Sequence, residues 1–128
     1  MTAIALYVSL AILAGLTVMQ TLLIVGAPIG HYAWGGKHPI LPVRQRFAAG
    51  VAIILYAGFA AVLLSRGGIL ANGDSLFIVV TAWALFGYSV FSVLPNLASK
   101  SRQERAVQTP VSIALAIGIG LVASGVLA

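Results

Sequence analysis

The sequence has no cysteine, only two acidic residues (Asp74 and Glu104) and only two histidines (His31 and His38). The missing cysteines exclude a disulfide framework and thiolate metal sites. Charged residues make up 7% of the 128 positions, against about 25% in ordinary soluble domains, too few to solvate a globular surface. Paired carboxylates, a nucleophile beside a base and a glycine-rich nucleotide motif are all absent. The chain is therefore expected to be no enzyme, and to hold neither cofactor nor metal.

What fills the chain instead is apolar sequence, 61% of all residues. No charge occurs before Lys37, and 47–64, 76–94 and 111–128 are uninterrupted apolar runs. A hydrocarbon core of roughly 30 Å needs about 20 helical residues. The expectation is an all-α polytopic membrane protein: one transmembrane domain, 1–128, folded as a four-transmembrane-helix bundle. Its spans fall at about 3–27, 47–64, 76–94 and 111–128. Runs such as Ile53-Ile54-Leu55 do not alternate as barrel strands must. The start Met1-Thr2-Ala3 lacks the basic stretch of a signal peptide.

The basic residues give an orientation. Lys37, Arg44 and Arg46 fall in the first connection and Lys100, Arg102 and Arg105 in the third, whereas the second holds Arg66 opposed by Asp74. By the positive-inside rule, loops 27–46 and 95–110 are cytoplasmic and both termini lie outside, in a bacterial cytoplasmic (inner) membrane. The net charge of +5 then points to membrane lipids with anionic headgroups, not to nucleic acid.

Small residues recur at four-residue spacing: Ala11 and Gly15, Ala57 and Ala61, Ala116, Gly120 and Ser124. They let helices approach closely, either within the bundle or in an oligomer. The oligomer keeps weight because four thin helices are expected to enclose little volume. Segments two and four also align at an offset of 60, with Val51, Ile53, Leu55, Gly58 and Val62 matching Val111, Ile113, Leu115, Gly118 and Val122. That suggests a parallel 2+2 hairpin duplication.

None of the four expected spans contains an ionisable side chain. This argues against a pump with a buried acid and against a haem held by two mid-membrane histidines. The intramembrane polar face consists of Thr17, Gln20, Thr21, Tyr88 and Ser92, which serve either interhelical hydrogen bonds or a polar path. The first loop, with three prolines and four glycines from Gly26 to Arg46, follows a specified non-helical route. Three readings of it stand. It is an interfacial anchor, or an anionic headgroup site using His31, Trp34, Lys37, His38, Arg44 and Arg46, or an acid–base or metal site on the two histidines. Glu104 is expected to pair with Arg44 or Arg46 at the exposed face, contributing about 0–1 kcal/mol.

The run GAPIGHYAWGGKHPILPVRQR, followed later by Ser-Arg-x-Glu-Arg, resembles an uncharacterised family of small four-helix bacterial integral membrane proteins. The resemblance covers most of the chain. It implies the four-helix architecture, and no activity or ligand. Two functions are carried forward. One is a non-catalytic oligomerising or accessory module, a homo-oligomer or a subunit of a membrane complex, with the basic loop as its recognition surface. The other is a homo-oligomeric channel or facilitator for a neutral or anionic small solute.

Overall fold

The computed structural model describes residues 2–125, the side chains of Thr2, His31 and Trp34 excepted. It contains four α-helices: α1 (Thr2–Ile24), α2 (Val43–Arg66), α3 (Leu76–Leu97) and α4 (Arg102–Ser124). All four are long and apolar enough to cross a membrane, each reaching roughly 33–36 Å. The outer surface is apolar, with Ile4, Val18, Ile54, Phe77, Phe91 and Ile117 all exposed. Such a surface suits lipid rather than water. The chain is thus a four-helix bundle of multi-pass membrane type.

Two serines set the helix starts. Ser75 Oγ accepts the Ile78 N–H at 3.3 Å, and Ser101 Oγ accepts the Glu104 N–H at 3.3 Å, satisfying donors that a helix N-terminus leaves open. Both helices also run through a proline, α3 through Pro95 and α4 through Pro110. The third connection therefore shrinks to residues 98–101, and α4 begins at Arg102 instead of near residue 111. Proline removes one backbone bond and crowds the preceding turn, yet packed membrane helices tolerate it.

α4 is the centre of the bundle, packed most extensively on α3 and also on α1, while α2 leans on α1 and meets α3 only sparsely. Its buried stripe reads Glu104, Gln108, Ser112, Leu115, Ile119, Val122, spaced three or four apart as one helical face. The apolar half of that stripe joins Leu6, Leu13, Leu63 and Leu85 in the main core. α1 crosses α4 at Gly118, where any Cβ would collide with Ser9 Oγ. At the same end Arg66 ties the second connection to α4. Its Nε donates to the Ala123 carbonyl at 2.9 Å, and its Nη1 reaches the Gly73 carbonyl at 3.2 Å and Asp74 at 3.0 Å.

Within the bundle, the small-residue expectation holds for Ala116, which is buried, and not for the first two pairs. Ala11, Gly15, Ala57 and Ala61 are all exposed, and a Cβ at Gly15 would meet nothing within 4 Å. α1 instead turns its leucines inward. The positions aligned between segments two and four also sit in unlike surroundings: Gly58 is open, Gly118 tightly packed, Leu55 exposed, Leu115 buried.

The first loop packs down as a lid on the basic end of the bundle. It forms two short 3-10 turns, Gly30–Tyr32 and Trp34–Gly36. It closes through the Gly30 N–H to the Pro39 carbonyl at 2.8 Å. A side chain at residue 30 would strike the His38 carbonyl, so glycine is required there. Ala33 and Leu41 bury themselves with Leu23 in a second small core.

Candidate functional site

Beneath that lid lies a cavity of about 280 Å³, walled by all four helices and by Tyr32 and Ala33 of the loop. Its origin is a mismatch of side-chain size. Toward the lid, α2 contributes only the methyls of Ala48, Ala49 and Ala52, across the cavity from Ser89, Ser92 and Asn96 of α3. These short groups cannot fill the gap where α2 and α3 diverge. The inner end is aromatic: Phe59 meets Tyr56 edge-on at 6.3 Å and Tyr88 at 5.9 Å between ring centroids. From Glu104 at the lid to Leu115 at the inner end, α4 rises roughly 16 Å. The expectation of negligible interior volume is thereby corrected, and the reason is the row of alanines on α2.

Glu104 is the second correction. It is expected on an exposed face, paired with an arginine, but it is only 8% exposed and lines the cavity in the first turn of α4. Among the described residues its carboxylate makes no ion pair; the pair present is Arg66–Asp74, at the opposite end. The nearest guanidiniums by sequence are held elsewhere. Arg105 donates to the Ser99 carbonyl at 2.7 Å, and Arg46 to the Leu41 carbonyl at 2.8 Å. The sequence Ser101-x-x-Glu104 is a capping-box pattern, in which the glutamate would bond back to the N–H of residue 101. Here that N–H goes to Ser99 Oγ at 3.1 Å. The local structural role is thus taken by a serine, and the carboxylate faces the cavity.

Several of the neighbouring polar groups have donors engaged. Gln108 gives its side-chain N–H groups to the Tyr32 carbonyl at 3.2 Å and to Met19 Sδ at 3.0 Å. Asn96 Nδ2 reaches the Gln108 carbonyl at 3.5 Å. The hydroxyls of Ser92 and Ser112 donate to the carbonyls of Ser89 at 2.7 Å and Thr109 at 2.9 Å. Deeper in, Gln20 of α1 and Tyr56 of α2 both line the wall.

Of the expected polar face, Gln20, Tyr88 and Ser92 line the cavity. Thr17 and Thr21 do not; their hydroxyls donate to the carbonyls of Leu13 and Thr17 on their own helix, each at 2.8 Å. Of the loop candidates, Lys37 and Arg44 are exposed, His38 and Arg46 half-buried, and none of these four lines the cavity. The side chains of His31 and Trp34 lie outside the described residues. No group of three potential metal ligands comes together among the described residues. Sequence reading missed Asn96, Glu104, Gln108 and Ser112, all assigned to a loop or left unremarked. The serine three residues before Glu104 is the signal that places Glu104 and Gln108 within a helix.

No family model, curated protein or solved structure matches the chain.

Proposed function

We propose that the protein is a facilitator that binds a small polar solute within the membrane and passes it through the α2–α3 cavity. One observation carries this reading. A single copy holds about 280 Å³ of space walled by Gln20, Ser89, Ser92, Asn96, Glu104 and Gln108 at a depth where lipid surrounds the helices. Polar groups inside a membrane bundle are costly, and they persist chiefly where they contact one another, water or a solute. Because the cavity lies within one chain, binding of a solute there needs no oligomer. Among the described residues, the one charged wall residue is a carboxylate, which favours neutral or positive solutes over anions. The basic loops 27–46 and 98–101 would face the cytoplasm of a bacterial inner membrane, where exposed Lys37 and Arg44 meet anionic headgroups.

The test is solute flux into proteoliposomes. Wild-type protein should accelerate entry of small polar solutes over empty liposomes, and Ala52→Leu, which plugs the cavity, should abolish the gain. Flux that is absent in the wild type, or unchanged by the plug, defeats the reading. The accessory-module reading keeps one specific support, the outward-facing Ala11, Gly15, Ala57 and Ala61, which could pack against a second helix surface. It predicts no flux.

A further inference from the structure

Resting on that reading of the cavity, the hydrogen-bonding state of its walls narrows the solute class. We infer that the cavity receives a primary ammonium group, with the Glu104 carboxylate as its counter-ion.

The first ground is charge. Glu104 is more than nine-tenths buried, lines the cavity and has no ion-pair partner among the described residues. A buried carboxylate without a cation is costly, and an entering cation relieves that cost.

The second ground is hydrogen-bond polarity. Both amide N–H groups of Gln108 are engaged, one of those of Asn96 is engaged, and the hydroxyls of Ser92 and Ser112 donate to backbone carbonyls. The amide orientations follow from their partners, since a carbonyl oxygen can only accept. On the wall, two side-chain amide oxygens, the hydroxyl oxygens of Ser92 and Ser112 and a carboxylate can accept, beside the hydroxyls of Ser89 and Tyr88 and the second N–H of Asn96, which can donate. An ammonium group brings three donors to those acceptors.

The third ground is the far wall. Tyr56, Phe59 and Tyr88 close the inner end with rings, which suits the organic body of an amine and attracts positive charge. The volume has room for on the order of ten non-hydrogen atoms. The chemistry is that of a small arylalkyl or alkyl amine, head toward the lid and body toward the aromatic end.

Three molecules of one shape test this: 2-phenylethylammonium, 2-phenylethanol and phenylacetate. Each is titrated calorimetrically into the full protein in nanodiscs at pH 7, with empty nanodiscs subtracted. The amine should bind at least tenfold more tightly than the alcohol, and phenylacetate more weakly than either. Glu104→Gln should remove the amine's advantage over the alcohol; Glu104→Asp should restore part of it. Ala52→Leu should abolish binding of both. Equal affinity for amine and alcohol, or tighter phenylacetate binding, overturns the ammonium proposal while alcohol binding blocked by Ala52→Leu still upholds the cavity. No binding of any of the three also overturns the proposal, and the flux assay then judges the cavity reading on its own. Should Glu104→Gln fail to fold, the charge series on the wild type decides.

Discussion

The crossing of α1 and α4 offers a stability test in which two destabilisers cancel. Ser9 is fully buried and its hydroxyl has no hydrogen-bond partner. A methyl placed on Gly118 would overlap that hydroxyl, whereas Ser9 Cβ and the Ala5 carbonyl oxygen stand 3.5 Å away, at ordinary contact. Gly118→Ala alone should therefore force the helices apart, costing about 1–3 kcal/mol for overpacking, offset by up to about 1 kcal/mol from better helix propensity. Ser9→Ala alone removes an unpartnered buried hydroxyl and should change stability by less than about 1 kcal/mol, in the stabilising direction. In the double variant the new methyl occupies the space the hydroxyl left, so the propensity gain survives without the clash. It should equal or exceed wild type, with a coupling of about 1–3 kcal/mol between the sites. The assay is reversible unfolding in mixed micelles, wild type and three variants side by side. Additive effects, or a Gly118→Ala protein as stable as wild type, would refute the claim that this crossing is limited by the Ser9 hydroxyl.

Arg66→Ala should destabilise the bundle by about 1.5–3 kcal/mol, because it strips a charged donor from the Ala123 and Gly73 carbonyls. Asp74→Asn should leave the melting temperature nearly unchanged, since Asp74 is fully exposed and solvent screens its pairing with Arg66; paired thermal melts check both. Gln108→Leu leaves the Tyr32 carbonyl without its donor. Hydrogen exchange at residues 30–36 should then accelerate while the α3 and α4 cores keep their protection. Orientation is checked by reporters: one active only in the cytoplasm should work when inserted between Ser99 and Lys100 and stay silent when fused after Ala128.

How much of this was legible in the sequence depends on what each signal measures. Apolar run length reports lipid thickness, so the existence and number of the helices follow from residues such as Phe47 to Leu64 and Leu76 to Leu94 without any knowledge of packing. The loop's fixed path was legible for a similar reason, because Gly30 and the neighbouring prolines restrict the backbone locally. Helix ends were less legible. Pro95 and Pro110 are read as boundaries, since in an isolated helix they would be, and only contact with neighbouring helices carries α3 and α4 through them. That error hid the site, because it moved Asn96, Glu104 and Gln108 out of the helices and into an apparent polar loop. A hydropathy average treats them as interruptions of a span, but in a bundle whose outside is lipid the polar stripe turns inward, as Glu104, Gln108 and Ser112 do on α4. The cavity itself depends on a relation between helices, the alanines of α2 facing the serines of α3. No single segment records it. Ser101 is the one local clue that was present: a serine three residues before a glutamate is a start signal, and taken with Ser99 it shows why that glutamate is not needed for the cap. A carboxylate released from its structural duty and left facing polar space is the feature that ties this fold to a chemical role.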